Sequence, residues 1–249
     1  MNRILFETDE IRDGIATFGG ERAEHVMNVL HGEVGQILKT GEVNGKIGTG
    51  EIIECSNVRM FESGNDGLVI KVRCNHQEES LGPWVDLILA PPRPRVMKRL
   101  LPQLATMGVG RIFLVGAKKV EKDFWGATLL KPENYRPLLI DGLMQAGTSI
   151  LPTLETRRNF RKFVREELDT LFPSSTRIIA HPYDGTQTLK HSNTQTLLLA
   201  IGPEGGWTDE EVALLEEHGF ARYSLGSRIL RTDTATIALL AQLMKEFDK

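Results

Sequence analysis

Leu197-Leu198-Leu199-Ala200-Ile201-Gly202-Pro203-Glu204-Gly205-Gly206 decides how this chain is read, together with Leu225-Gly226-Ser227-Arg228-Ile229-Leu230-Arg231-Thr232-Asp233-Thr234-Ala235. The first stretch is a short apolar strand ending in a tight glycine turn, followed by the helix start Trp207-Thr208-Asp209-Glu210-Glu211. The second is another glycine turn that runs straight into an apolar helix. A buried strand, a glycine turn and a helix start bring backbone close to a nucleotide-like ligand. Alone, the first loop reads as well as a plain turn between a core strand and a capped helix. The second loop weighs toward a binding site.

The charges select the ligand. A phosphate cradle needs free helix N-terminal amides, usually with a lysine, in patterns such as G-x-G-x-x-G or G-x-x-x-x-G-K-[ST]. Neither occurs here. The loop carries Glu204, and its helix opens with Asp209, Glu210 and Glu211. Thr208 and Glu211 form a capping-box pattern that occupies the orphan amides and the positive end of the helix dipole. An incoming phosphate would meet three or four carboxylates. A neutral or cationic ligand suits the site better, and S-adenosylmethionine, an adenosine with a sulfonium cation and no phosphate, answers that description.

The chain's 249 residues allow one large domain, or a large one with a small one. Its 41% hydrophobic and 25% charged content are ordinary for a globular protein, and a net charge of −3 gives no global basic character. No apolar run approaches the roughly 20 residues of a membrane span, and the N-terminus lacks a signal-peptide core, so a cytoplasmic protein without a membrane role is expected. Cys55 and Cys74 form no C-x-x-C pattern, and the histidines have no metal-ligand spacing. No metal is implied.

Residues 1–74 read as short β segments punctuated by glycine, at 36–39, 50–54, 58–61 and 68–72, with one helix over 21–30. That composition suggests a small, partly closed barrel with an acidic excess. A polar linker over 75–82 leads into the second domain, 75–249, where strands at 85–89, 111–115, 177–180, 197–201 and 222–225 alternate with helices at 96–107, 135–146 and 159–172. Asn159 is the expected N-cap of the last of these helices. The alternation argues for an α/β domain with a mostly parallel sheet covered on both faces. The C-terminal helix, 233–247, has eight apolar residues among the twelve from Asp233 to Met244, not confined to one stripe. Either deep core burial or a homodimer interface would bury it all round.

The paired motifs, G-P-E-G-G and then L-G-x-x-I-L-R-x-D-T-A near the C-terminus, resemble the signature of the SPOUT methyltransferases. They are most similar to the RsmE family of bacterial 16S rRNA uridine-N3 methyltransferases. The resemblance covers the whole length. It implies a C-terminal domain with a deep trefoil knot, a PUA-like RNA-binding β-barrel at the N-terminus, and a homodimer acting on 16S rRNA or the small subunit. It places S-adenosylmethionine against Leu199, Ala200, Ile201, Gly202, Pro203, Glu204, Gly205 and Gly206, and against Leu225, Gly226, Ile229, Leu230 and Thr234. Departures are Asp233 where the family has Glu, Gln103 and Thr106 in the first long helix, Thr148 where an arginine is usual, and His31 in the N-terminal domain. The cofactor motifs are intact, and the altered positions put the RNA target in question.

Arg231 is the candidate to stabilise an ionised uracil, because a planar guanidinium can bridge N3 and an adjacent carbonyl oxygen. Asp233 would cap the helix or orient that arginine. The best RNA-facing patch runs from Arg93 to Lys122 and includes Arg93, Arg95, Lys98, Arg99, Arg111, Lys118 and Lys119, with Arg228 as a further phosphate contact. The cluster Arg157, Arg158, Arg161, Lys162 and Arg165 reads as a solvated helix face. His181 and Pro182 follow a strand and could line an adenine pocket. Two other classes stay open: a catalytically silent RNA-binding protein of the same fold, and a phosphate-cofactor enzyme.

Overall fold

The computed structural model describes residues 2–59, 66–182 and 196–247. The chain forms two compact units, Met1–Leu81 with Leu143–Leu151, and Gly82–Gly142 with Pro152–Lys249.

The first unit is built on a six-stranded sheet ordered β1-β4-β5-β6-β3-β2. The strands are β1 (Ile4–Phe6), β2 (Ile11–Arg12), β3 (Ile15–Gly19), β4 (Ile37–Glu42), β5 (Ile47–Arg59) and β6 (Asp66–Glu78). β1 runs parallel to β4, and the other pairs are antiparallel. β5 and β6 form one long hairpin of 13-residue arms. It merges the expected strands at 50–54 and 58–61, of which residues 60 and 61 lie outside the described residues. β6 also runs through residues 75–78, expected as linker. Ile70 and Val72 alternate inward from β6, and helix α1 (Gly20–Asn28) buries Ala23 and Val26 on the same face against Phe6, Phe18 and Ile52. The expected barrel closure is not seen. Among the described residues no pairing joins edge strands β1 and β2, which are three and two residues long, so the sheet stays open. Residues 143–151 lock onto this unit: Ser149 is fully buried, donates from Oγ to Gly45 O, and accepts through its carbonyl from Asn44 N–H at 2.8 Å.

The second unit has six parallel strands ordered β12-β10-β11-β7-β8-β9. They are β7 (Val85–Leu89), β8 (Val109–Val115), β9 (Thr153–Arg157), β10 (Thr176–Ala180), β11 (Leu197–Ile201) and β12 (Ala221–Tyr223). All five residues of β7 and all five of β11 are buried, which is why these central parallel strands read as apolar runs interrupted at Asp86 alone. The connecting helices are α2 (Pro94–Thr106), α3 (Pro132–Ala146), α4 (Phe160–Lys162) continued through a π segment to α5 (Leu168–Leu171), α6 (Asp209–Glu217) and α7 (Thr232–Phe247). Asn159 caps α4, its side chain accepting from Lys162 N–H at 3.0 Å. Between β7 and β8 a bulge sets Gly110 and Arg111 opposite Asp86. Asp86 Oδ1 takes the Arg111 N–H at 2.9 Å and Oδ2 takes the guanidinium at 2.6 and 3.0 Å. The guanidinium also covers the Phe172 ring.

α7 is not buried all round. Thr232, Thr236, Leu239, Leu240 and Leu243 form one buried stripe, while Ile237, Ala238 and Met244 are half-exposed and Ala241 is exposed. Core burial therefore accounts for three of the eight apolar residues from Asp233 to Met244, namely Leu239, Leu240 and Leu243.

Candidate active site

The two glycine loops meet. β10, β11 and β12 end side by side, and the loops leaving their C-terminal ends enclose a cleft of about 400 Å³. Ligands of open α/β sheets bind outside the C-terminal strand ends, where the strand order turns back. That happens here, because β11 inserts between β10 and β7. Thr232, the first residue of α7, is buried and donates from Oγ1 to Gly202 O at 3.4 Å, so the helix after the second loop is fastened to the first. Gly226 sits at φ +114°, a conformation that L side chains rarely adopt, and Ser224 Oγ accepts its N–H at 3.2 Å. A Cβ on Gly202 would come within 3.1 Å of Trp207, so the first loop needs a glycine where it folds under that ring.

Of the residues expected to hold a cofactor, Ile201, Gly202, Pro203, Glu204, Gly205, Gly206, Leu225, Gly226, Ile229 and Leu230 line the cleft. Leu199 and Ala200 lie fully buried in β11 behind it, and Thr234 is exposed on α7 outside the lining. Arg228, expected to face RNA, is part of the wall. His181 and Pro182 also line it, with Tyr223 and Ser224 from the end of β12, which the sequence did not mark.

The expected capping box forms at α6, but outside the cleft lining, so it does not set the charge of the cleft as the sequence argument supposed. Thr208 Oγ1 accepts from Glu211 N–H at 3.4 Å, and Glu211 Oε2 accepts from Thr208 N–H at 2.9 Å. Glu211 is buried and its other oxygen accepts from Lys118 N–H at 2.8 Å. The start of α6 is thus capped by its own residues and faces a separate cavity with Lys118 and Arg161, while the fully charged side chains of the cleft lining are Glu204 and Arg228. Two buried ring nitrogens at the cleft wall, His181 Nδ1 and Trp207 Nε1, have no partner among the described residues. Buried polar atoms are rarely left unpaired, so these two fit a polar ligand in the cleft. An apolar wall, two orphan ring nitrogens and the opposite charges of Glu204 and Arg228 suit S-adenosylmethionine, a nucleoside that carries both a sulfonium and a carboxylate.

Arg231 stands at the entry to α7, two-thirds exposed, 3.7 Å from Asp233 Oδ1. Asp233 Oδ1 accepts from Thr234 N–H at 3.0 Å, and Oδ2 lies 3.5 Å from Arg99 on α2. Arg93, Arg95, Lys98 and Arg99 are all exposed along the first half of α2 and its approach. Arg93 is held by Glu121 at 2.9 Å, which raises its already high pKa, and lies 3.9 Å from Glu204. Arg111 leaves the expected RNA patch: Asp86 and the Phe172 face engage its guanidinium inside the fold. In the other cluster, Arg161 pairs with Glu210 and Lys162 with Glu166 as a solvated face would, but Arg157 lies in β9, part-buried between Glu155 and Glu167 and over the Phe113 ring. Thr106, one of the departures, ties α2 to α3 through Oγ1 bonds to Pro102 O and Gly142 O at 2.9 and 3.0 Å. His31 sits at φ +51° after α1. Among the described residues no cluster of metal-ligating groups occurs, and no helix is long and apolar enough to cross a membrane.

Residues 78–244 match the RNA methyltransferase domain family. Over 252 aligned residues the chain is 30% identical to the ribosomal RNA small subunit methyltransferase E of Treponema pallidum, covering 98% of this chain and 91% of that one. A Borreliella burgdorferi protein named ribosomal RNA small subunit methyltransferase E 1 is 25% identical over 244 residues, covering 96% and 95%. A Legionella pneumophila structure described as a methyltransferase with bound SAM superposes with a TM-score of 0.72 at 26% identity, covering 98% and 97% of the two chains. The same fold is found in the Neisseria gonorrhoeae small subunit methyltransferase E bound to S-adenosylmethionine, with a TM-score of 0.71 at 20% identity over 98% and 97%.

Proposed function

This chain belongs to the RNA methyltransferase family, and from that premise we propose that it methylates N3 of a uridine in 16S, small-subunit ribosomal RNA with S-adenosylmethionine. The observation that carries the reading is the cleft, whose walls suit a sulfonium nucleoside. The names of the relatives supply the rRNA.

When bound, S-adenosylmethionine supplies an electrophilic methyl group. The chain's part is to position and desolvate. The backbone of the Gly202–Gly206 and Leu225–Leu230 loops holds the adenosine and methionine portions, with Leu199 and Ala200 fixing the strand beneath and Thr234 at the helix start. Arg231 closes on the ionised base from the solvent side, its orientation limited by Asp233. Arg93, Arg95, Lys98 and Arg99 carry RNA phosphates past the cleft, with Arg228 at its edge. Residues 1–74 serve as a PUA-like RNA-binding domain, and the domain 75–249 carries the catalytic site and the family's trefoil knot. β11, which enters the sheet between strands already in place, supports the knot. A homodimer covers the exposed flank of α7 at Ile237, Ala238, Ala241 and Met244, and the reaction is placed in the cytoplasm.

Incubation of the purified protein with S-adenosylmethionine and small subunits lacking the modification, followed by nucleoside mass spectrometry, tests this reading. One 3-methyluridine per subunit is expected. A methyl group on another base or on ribose would replace the N3 assignment. Protein that binds the cofactor and RNA but leaves the RNA unmodified would be the silent form of the fold.

A further inference from the structure

Behind the first glycine loop lies a second cavity of about 210 Å³, below the roughly 300–1,000 Å³ of sites for drug-sized ligands, and so of a size for a single ring. Its apolar surfaces are Pro91, Pro92, Pro203 and the ring of Phe124, and its polar groups are Arg93, Lys119, Glu121 and Glu204. Pro203, Glu204 and Gly205 line both this cavity and the cofactor cleft, so the two adjoin at that turn. Among the described residues, Glu204 is the one titratable group common to both walls.

We propose that this second cavity receives the target base as uracil, and that Glu204 is the catalytic residue that removes its N3 proton. The proposal rests on the N3 reading above. A base taken out of its stack is read by hydrogen bonds to its Watson–Crick edge while apolar groups hold its faces. Uracil presents an acceptor, a donor and an acceptor along that edge. The cavity presents the complement. Arg93 and Lys119 are donors, the latter held by Gly205 O at 2.7 Å, and the carboxylates of Glu204 and Glu121 are acceptors beside Arg93, at 3.9 and 2.9 Å. Cytosine would turn a lone pair at N3 toward those carboxylates and an amino group toward a cation. The cavity's charges therefore select uracil.

In the step itself, a Glu204 carboxylate oxygen takes the N3 proton and becomes a carboxylic acid. The electron pair left on N3 forms the bond to the methyl carbon, and the pair of the broken methyl–sulfur bond stays on sulfur. Lys119 and Arg93, the latter in place of its phosphate contact, bear the negative charge that the carbonyl oxygens O2 and O4 carry in between, with Arg231 on the solvent side. After transfer, Glu204 returns its proton to water.

The test uses the full-length protein saturated with S-adenosylhomocysteine, with uridine and cytidine 5′-monophosphates as probes followed by saturation-transfer NMR. Uridine monophosphate should bind at least tenfold more tightly than the cytidine compound, and Arg93→Ala with Lys119→Ala should erase that preference. Glu204→Gln keeps an acceptor oxygen, so uridine monophosphate and S-adenosylhomocysteine affinities should stay within several-fold. Its methyl transfer should fall about 10²–10⁴-fold, the usual worth of a general base, and the residual rate should climb with pH as the free base ionises. Equal binding of the two monophosphates, or a Glu204→Gln rate within a few-fold of the native protein, overturns the inference. If the native product is then still 3-methyluridine, the proposed function stands without it. A native product other than 3-methyluridine fails the N3 reading itself.

Discussion

Replacement of Gly226 by alanine isolates what the second loop's conformation contributes to cofactor binding. At φ +114° an L residue is strained, and such positions cost of order 1–3 kcal/mol. No heavy atom lies within 4 Å of where the new methyl would sit, so the penalty is conformational and not a clash. The loop is exposed, so the unliganded protein relaxes locally and its melting temperature should barely change. Binding then has to restore the strained shape, which converts to an S-adenosylmethionine Kd weaker by about 5- to 150-fold. Gly219 is the matched control: its φ is +82°, its surroundings are equally open, and it ends α6 outside the cleft lining. Gly219→Ala should lower stability and leave Kd alone. Calorimetric titration with thermal melts of both variants reads the contrast. A Gly226→Ala protein binding within twofold of native would refute the idea that this bend is the bound shape.

Asp86→Ala strands the Arg111 guanidinium against Phe172. A broken buried pair costs about 3–5 kcal/mol, and the exposed third of Arg111 points to the lower end, near 3 kcal/mol in urea unfolding. A loss below about 1 kcal/mol would show that the pair is solvated in practice. In the first unit, His76 is held below its ordinary value of 6.5, chiefly by burial, with Glu42 opposing and Arg3 reinforcing, and it bonds Thr40 Oγ1 at 2.9 Å. The unfolded chain therefore takes up this proton first. Stability from this site is complete above pH 6.5 and declines as the pH falls through the folded-state value. Unfolding free energies across pH 5 to 8 should show that decline in the native protein and a flatter profile in His76→Gln; parallel profiles would remove His76 as the source.

What could be read from the sequence was what local chemistry decides. The apolar runs Val85–Leu89 and Leu197–Ile201 are the two neighbouring central strands, the Thr208–Glu211 box caps α6, and the two glycine turns come together at one cleft. Strand order was hidden because β11 finds its partners, β10 before it and β7 far upstream, only in the assembled sheet. Arg111 looked like an RNA-facing charge because its partner, Asp86, lies inside a strand that reads as wholly apolar but for that one residue. The extent of the first sheet was hard to read for a similar reason: glycines 48 and 50 interrupt the apolar pattern of what is one long strand, and short β1 and β2 have little pattern at all. Tyr223 and Ser224 gave no signal, since their place in the cleft wall depends on where β12 docks.

The central claim is that the paired glycine turns hold a sulfonium nucleoside and exclude phosphate. Competitive calorimetry on one sample of the intact protein tests it most directly, with S-adenosylhomocysteine titrated alone and then in the presence of excess ATP. One site per chain is predicted, with an affinity that ATP leaves unchanged. Displacement by ATP, or ATP binding where the homocysteine compound does not, would contradict the account.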